Sequence, residues 1–359
     1  MLNLRSLLKE MIDRKASDLH ISAGAPPVYR IDGKIVRSSN DCVTPETCKQ
    51  IAYSVLTENQ QKRFENEKEL DFSFGIQGLS RFRANVFQQR GVTSLAIRKI
   101  PFEILDFNKL GLPETVRKFS EQQKGLVLIT GPTGSGKSTT LASMIDKING
   151  ERSAHVITIE DPIEYIHKHK KCIVNQREVK ADTETFAKAL KHVLRQDPDV
   201  ILIGEMRDQE TMQTALTIAE TGHLAFATLH TNSTFESINR IVDTFPPSQQ
   251  GQVRAQLAFV LNGVVTQQLI PHISGTGRVL VAEVMVCTPA ISATIRDDKI
   301  HQIYGLMQAG QKYGMQTMNQ ALFSAVKRRQ ISKNEALMRS TDPLELTQML
   351  GKQVIGDRI

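Results

Sequence analysis

The chain has 359 residues, enough for two domains that each bury a hydrophobic core. Its formal net charge of +7 permits an acidic partner or a membrane surface, and it is equally expected of an ordinary solvated surface. The sequence has no apolar run of 18 residues and no C-x-x-C pair among its four cysteines, so neither a membrane-spanning helix nor a zinc ribbon is expected. The charged first residues are not typical of a signal peptide, and reduced thiols fit a cytoplasmic protein.

Residues 1–100 are predicted to form an α+β domain with a mostly antiparallel sheet. Apolar residues recur at helical spacing over 4–12, which predicts a helix packed on one face. Asp32-Gly33 is a hairpin signal, and Thr44 is typical of a helix N-cap. The predicted strands are residues 18–21, 28–31, 34–36, 70–74, 81–87 and 93–98.

Two arginines stand out in the predicted strand at 81–87. Arg81 and Arg83 alternate with apolar residues, so the two-residue period of a strand places both side chains on one polar face. That face is either an ordinary solvated surface or a site for phosphate or carboxylate at a domain or subunit boundary. The sequence alone leaves both interpretations open.

Residues 101–118 are predicted to link this domain to a second one at 119–359. Pro101 and the Gly-Leu-Pro run at 111–113 are typical of a linker, and a helix is predicted to begin at Glu114. A hinge in this linker would let the two domains move.

The run at 131–139 fits the P-loop pattern G-x-x-x-x-G-K-[ST]. An apolar run at 125–130 predicts the strand before it, and residues 140–148 predict the helix after it. The glycines let backbone N–H groups turn toward a polyphosphate at the helix N-terminus. Lys137 would reach the β and γ phosphates, and the Ser138 hydroxyl would bind Mg²⁺. The predicted nucleotide-binding residues are Gly131, Thr133, Gly134, Ser135, Gly136, Lys137, Ser138 and Thr139.

Beyond the P-loop, apolar strands alternate with helices, which predicts a parallel α/β sheet. A strand at 155–159 ends in Glu160, Asp161 and Glu164. These acids form either a solvated loop or, at the carboxyl edge of the sheet, a site that holds Mg²⁺ or orients water. Glu205 ends a buried apolar strand in the Walker B position and is the candidate base for an attacking water.

His230 lies at the carboxyl end of the next predicted strand, at 223–232, where a neutral imidazole could sense the γ phosphate. His223 lies at the opposite end, so contact with the same nucleotide is less expected. A further strand is predicted at 277–286, and short helices over 289–350 are predicted to pack on the sheet as a small bundle. The later arginines that could reach phosphate or a neighbouring subunit are Arg240, Arg254 and Arg278.

Four sequence blocks, in order, resemble those of the secretion ATPases of the type II/type IV pilus superfamily and, within it, the PilT group of pilus retraction ATPases. They are the Walker A run at 131–139, an Asp box at 159–165, a Walker B block at 196–208 and a His box at 221–232. The N-terminal run at 16–21 is also similar to that group, so the resemblance covers essentially the whole length.

The resemblance implies an N-terminal PAS-like domain, a C-terminal RecA-like ATPase domain and a ring-shaped homohexamer that binds ATP and Mg²⁺ between the two domains. It also implies that Glu205 is the catalytic base, that Glu164 supports Mg²⁺ and water, and that His230 contacts the γ phosphate. The N-terminal arginines implied to approach the phosphates are Arg81, Arg83 and Arg98.

The same resemblance implies a cytoplasmic protein at the inner face of the cytoplasmic membrane. It would act on a PilC-like platform protein to remove pilin from the pilus base, which gives pilus retraction and twitching motility. One motif differs, because the family's AIRNLIRE reads AISATIRD here, with Ser292, Ala293 and Thr294 in place of the family's first Arg, Asn and Leu. The alternative is therefore a PilT paralogue with an accessory or regulatory role that joins a second PilT-like ATPase.

Two other classes are less favoured. Extension ATPases of the superfamily usually carry a four-cysteine zinc motif, which has no counterpart in this sequence. A nucleic-acid translocase would use a basic arm or aromatic stacking residues, but the sequence has no Trp, only 5% aromatic residues and no arginine-rich arm. No nucleic-acid partner is therefore expected.

Overall fold

The computed structural model describes residues 2–31, 33–100 and 103–356. Asp32 of the predicted hairpin turn and Pro101 of the predicted linker lie outside the described residues. Contacts between the described residues divide the chain into two compact units. The first unit comprises Met1–Glu103 and Pro162–Ile166, and the second comprises Ile104–Asp161 and His167–Ile359.

The first unit is a helix-covered antiparallel sheet. In the described residues the sheet has six strands in the order β3-β2-β1-β6-β5-β4, and neighbouring strands are antiparallel throughout. This confirms the predicted α+β class. The helices are α1 (Leu4–Asp13), α2 (Pro45–Tyr53) and α3 (Glu58–Glu67), and the strands are β1 (Asp18–Ile21), β2 (Val28–Ile31), β3 (Lys34–Arg37), β4 (Glu69–Ile76), β5 (Ser80–Gln89) and β6 (Val92–Ile100).

The three helices cover one face of this sheet. A row of cross-strand neighbours on that face is apolar and buried, because alternate residues of each strand point the same way. The Tyr29 hydroxyl at one end of the row donates to the backbone oxygen of Leu7 in α1, which ties helix to sheet. The buried row is Tyr29, Leu19, Ile97, Ala84 and Phe72.

The second unit is an α/β structure, as predicted. Its sheet has seven strands in the described residues, in the order β13-β12-β7-β11-β10-β8-β9, and only the β12–β13 pair is antiparallel. Among the helices described here, none is both long and apolar enough to cross a membrane. The strands are β7 (Gly125–Thr130), β8 (His155–Glu160), β9 (Ile173–Glu178), β10 (Val200–Ile203), β11 (Leu224–Leu229), β12 (Leu261–Pro271) and β13 (Arg278–Val286). The helices are α4 (Glu114–Phe119), α5 (Lys137–Glu151), α6 (Phe186–Val193), α7 (Gln209–Glu220), α8 (Thr234–Asp243), α9 (Pro247–Val260), α10 (Pro289–Arg296), α11 (Ile303–Ala309), α12 (Met318–Lys327), α13 (Lys333–Arg339) and α14 (Pro343–Gly356).

Both faces of the second sheet are covered. Leu126 and Leu128 of β7 join a core with α6–α9, whereas Val127 and Ile129 join a core with α4 and α5. Strands buried on two faces need continuous apolar runs, which is why β7, β10 and β11 were recognisable in the sequence. The last three helices, α12–α14, pack on residues of β12 and β13, whereas α10 and α11, which also belong to the predicted bundle at 289–350, join the core with α6–α9.

The buried carboxyl group of Glu283 in β13 joins helices α8 and α12 to that strand. Glu283 Oε1 accepts the backbone N–H of Thr234, the first residue of α8, at 2.7 Å. Its Oε2 accepts the backbone N–H of Met318, the first residue of α12, at 3.1 Å. Burial raises the pKa of Glu283, and the two N–H donors oppose that rise. One side chain therefore satisfies two helix N-termini that would otherwise be buried without an acceptor.

Glu283→Ala is expected to lower the free energy of unfolding by about 3 kcal/mol, since two buried N–H groups lose their acceptor. Glu283→Gln keeps one acceptor oxygen and the volume, so a smaller loss is expected. Chemical denaturation of the three proteins measures the difference. Equal stability of the alanine variant and the wild type would show that Glu283 does not hold the helices.

Candidate active site

The P-loop follows β7 directly and leads into α5. Gly131 has a φ of 134°, and a Cβ there would lie 2.3 Å from the backbone oxygen of Gln267 in β12. Only glycine fits such a close approach. Gly136 has a φ of 90° and caps the N-terminus of α5. The loop backbone therefore turns tightly beside a helix N-terminus, which is the arrangement that binds polyphosphate.

The side chains of the loop fit an anionic ligand. Lys137 Nζ donates to the backbone oxygens of Gly131 at 2.7 Å and Pro132 at 3.1 Å, so its ammonium group lies against the loop. Ser135 is buried, and its Oγ has no hydrogen-bond partner among the described residues. A buried hydroxyl without a partner is costly unless a ligand completes it. Ser138 and Thr139 are half-buried in the first turn of α5, whereas Thr133 and Gly134 are exposed at the tip of the loop.

Three neighbouring parallel strands bring the predicted residues to one edge of the sheet. The P-loop follows β7, His230 follows β11, and Glu205 comes two residues after β10. Because β11 pairs with both β7 and β10, all three segments leave the sheet at its carboxyl edge. Neighbouring strands are roughly 5 Å apart. The topology therefore groups the P-loop, His230 and Glu205 as the sequence predicts.

Glu205 lies between two basic side chains. Its Oε2 is 2.8 Å from Arg207 Nη2, and its Oε1 is 3.4 Å from His230 Nε2. Partial burial by itself would raise the pKa of Glu205, but the hydrogen bond and charge of Arg207, together with the neighbouring His230, outweigh burial and lower it. The carboxylate therefore stays ionised at neutral pH. The sequence had given Arg207 no role, although it lies only two residues beyond Glu205.

A chain of hydroxyl groups connects the His230 segment to the P-loop strand. Thr231 Oγ1 lies 2.6 Å from Ser237 Oγ, which lies 3.4 Å from Thr130 Oγ1. Thr130 is the last residue of β7, and its hydroxyl is 2.7 Å from that of Thr266 in β12. A buried network of this kind fixes the relative position of the segments it joins. The sequence offered no signal for it, because single Ser and Thr residues are common in any loop.

The predicted acidic residues fall into different surroundings. Glu160 ends β8 and accepts hydrogen bonds from Thr158 at 2.6 Å and Gln176 at 3.2 Å. Glu164 is exposed, and its contacts group it with the first unit. Its role with Mg²⁺ and water stays a prediction.

The predicted arginines lie on the polar face of the first unit's sheet. Arg83 and Arg98 are cross-strand partners, and Arg81 lies two residues before Arg83 on the same face. Arg98 Nε is 2.8 Å from Asp18 Oδ1, whereas Arg81 donates to Ser73 Oγ at 2.8 Å. Burial alone would raise the pKa of Asp18, but hydrogen bonds from Ser17 and Arg98 lower it, so Asp18 is ionised.

This polar face carries more positive than negative charge. One row of cross-strand neighbours on this face includes Arg30, Asp18, Arg98 and Arg83. Arg30 had no predicted role. Arg83 Nη2 is 4.0 Å from Asp71 Oδ1, and its side chain remains 44% exposed. Whether these arginines approach phosphate stays a prediction.

A polyphosphate loop between a buried parallel strand and a helix, with a strand-end glutamate two strands away, defines a P-loop nucleoside triphosphatase. A model of the type II/IV secretion system protein family matches residues 2–338. The chain therefore belongs to that family and is one of its ATPases.

Three relatives are similar over nearly the whole chain. The type IV pilus retractation ATPase PilT of Pseudomonas aeruginosa is 46% identical over 342 residues, which is 95% of this chain and 99% of the relative. The type IV pilus ATPase PilU of the same organism is 40% identical over 360 residues, 100% of this chain and 94% of the relative. A crystal structure of the pilus retraction motor PilT with bound ADP has a TM-score of 0.92 and 52% identity, and covers 97% of this chain and 100% of that one.

Proposed function

We propose that this ATPase hydrolyses ATP to drive type IV pilus retraction, and thereby twitching motility. The observation that carries the proposal is the 46% identity to a pilus retraction ATPase over 95% of the chain, with 99% of the relative covered. Expressing the chain in a strain that lacks its own copy, and scoring twitching, tests it.

The P-loop is proposed to hold the triphosphate. The loop N–H groups and the Ser135 hydroxyl would bind phosphate oxygens, and Lys137 would neutralise charge on the β and γ phosphates. Ser138 and Glu164 would hold Mg²⁺, which when bound neutralises phosphate charge. The buried Ser135 hydroxyl without a partner supports this fit.

Glu205 is proposed as the base that takes a proton from the attacking water. Its lowered pKa keeps the carboxylate ionised, so it can accept a proton at neutral pH. His230 Nε2 lies 3.4 Å from Glu205 Oε1. His230 also directly follows β11, the strand that pairs with the P-loop strand β7, so it would contact the γ phosphate. The hydroxyl chain from Thr231 to Thr130 would hold His230 at a constant distance from the loop.

Arg207→Ala is expected to move the acid limb of the pH–rate profile to higher pH. Arg207 lowers the pKa of Glu205, so its loss lets burial raise that pKa, and the base is protonated at a higher pH than in the wild type. Steady-state turnover measured across the acidic range gives the shift. Arg207→Lys keeps a positive charge and should move the limb less. An acid limb unchanged in the alanine variant would rule out Glu205 as the titrating base or Arg207 as its partner.

The assembly is proposed to be a ring of six copies, with PAS-like first units and RecA-like second units. Arg81, Arg83 and Arg98 would approach the phosphates from the first unit, since their face has excess positive charge. The ring would sit in the cytoplasm at the inner face of the membrane and act on a PilC-like platform protein.

A second candidate is an accessory role in a ring with another PilT-like ATPase. The changed residues in α10 favour it. In α10, Thr294 Oγ1 donates to the Ala290 oxygen at 2.8 Å, and Ser292 Oγ lies 3.3 Å from Cys287 Sγ. The helix is thus intact, and the change places Ser292 and Ala293 at half-buried positions and Thr294 at a buried one. Clear ATP binding with negligible turnover by the pure protein would support this candidate over the first.

A further inference from the structure

A cavity of about 500 Å³ lies in the second unit and shares no lining residue with the P-loop, Glu205 or His230. Its walls are the segment 109–113 before α4, the first part of β13, and the face of α12 that carries Ala321 and Ala325. This volume is within the range of small-ligand sites, roughly 300–1,000 Å³. The cavity is therefore large enough for a molecule the size of a nucleotide.

The charge lining this cavity is of one sign. Lys109, Arg278 and Arg328 line it together with His272, and no Asp or Glu does. Within the described ranges, these three cations make no ion pair or side-chain hydrogen bond. Arg254, another arginine of the same unit, pairs with Asp298 at 3.0 Å instead. All three side chains are exposed around the recess, so an anion that enters it can reach them.

The inner wall of the cavity is mostly polar. Ala282, Ala321 and Ala325 line it with small side chains that are buried and expose little apolar surface. Ser324 and Gln330 add polar groups that can donate or accept hydrogen bonds. Three cations around one recess favour a ligand with several negative charges, such as a diphosphate, over a single carboxylate.

We propose that this cavity binds a phosphate-bearing small molecule of nucleotide size, at a site separate from the P-loop. The phosphates contact Lys109, Arg278 and Arg328, and the rest of the ligand lies beside Ser324 and Gln330. A ligand held this way ties segment 109–113, part of the predicted linker, to β13 and α12. The site does not depend on the proposed role in pilus retraction.

The test uses the full-length chain with its P-loop saturated by labelled ADP. Inorganic pyrophosphate is then titrated by calorimetry at physiological salt while retention of the label is monitored. One further binding event per chain is expected. Arg278→Glu with Arg328→Glu should weaken it at least tenfold and leave ADP binding unchanged. Should the charge reversal impair folding, Arg278→Gln with Arg328→Gln should still weaken the event.

The matched control is Lys327→Glu with Lys333→Glu. Both lysines are exposed near the same helices, neither lines the cavity, and the change in net charge is identical. Wild-type affinity in this control supports the site. Absence of the further event, or equal weakening in the control, would overturn the proposal. So would binding to phosphatidylglycerol vesicles without a response to pyrophosphate, because a membrane surface would then be the partner.

Discussion

Lys137→Ala is expected to reduce ATP turnover by about 10²–10³-fold, the usual cost of losing one charge-stabilising donor. Lys137 is buried at the start of α5, and its ammonium already lies 2.7 Å from the Gly131 oxygen. Its placement therefore needs little reorganisation when phosphate binds. Among the described residues, no other cation donates a hydrogen bond to the backbone of the P-loop, so no nearby side chain would replace Lys137. Coupled-enzyme turnover and nucleotide affinity should both fall.

Lys147→Ala is the matched control for this variant. Lys147 lies on the same helix but pairs with Glu121 and Glu151. The Lys147 side chain is only 9% exposed, but it contacts these two glutamates and not the P-loop, so turnover by the folded variant should stay close to that of the wild type. Unchanged turnover in the Lys137 variant would contradict the assignment of the loop as the phosphate site.

Glu205→Gln is expected to lower turnover by about 10²–10⁴-fold while ATP binding persists, since only the proton acceptor is lost. The amide keeps the shape of the side chain, but it cannot take a proton from water at neutral pH. Binding should survive because Glu205 is not part of the loop that we propose holds the phosphates. Single-turnover kinetics would separate the chemical step from nucleotide binding.

Glu210→Gln provides the comparison. Glu210 is an exposed acid in the first turn of α7, five positions further on, and it contacts neither Arg207 nor His230. Turnover by the Glu210→Gln variant should match that of the wild type. A Glu205 variant with full chemical-step rate would mean that another group, such as Glu164, is the base.

The sequence predicted the elements with strong patterns. The three fully buried strands β7, β10 and β11 could be recognised because a strand covered on both faces is apolar throughout. The P-loop could be recognised because its glycines are dictated by backbone geometry, as at Gly131.

The sequence missed elements whose patterns are weak. Helix α3 buries only Phe64, so it lacks an apolar stripe, although Thr57 and Gln60 form a capping box that marks its start. Strand β12 begins at Leu261, directly after α9 ends at Val260, so no turn residues separate the two. The edge strand β9, with mixed burial, was missed for a similar lack of pattern.

In the candidate site, too, the residues with a strong sequence pattern were predictable and those without one were not. The position of Lys137 was predictable, because it belongs to a fixed sequence motif. The pairing of Glu205 with Arg207 was not predictable, because it depends on how the chain turns after β10. The hydroxyl chain through Ser237 depends on tertiary packing of α8 against β7 and β12, which no local pattern encodes.

The most direct test of the central claim is complementation of a strain that lacks its own copy of this gene. Wild-type protein should restore twitching and normal numbers of surface pili, and the Glu205→Gln variant, expressed at the same level, should restore neither. No rescue by a wild-type protein that hydrolyses ATP in the test tube would contradict retraction as its function and leave the accessory role.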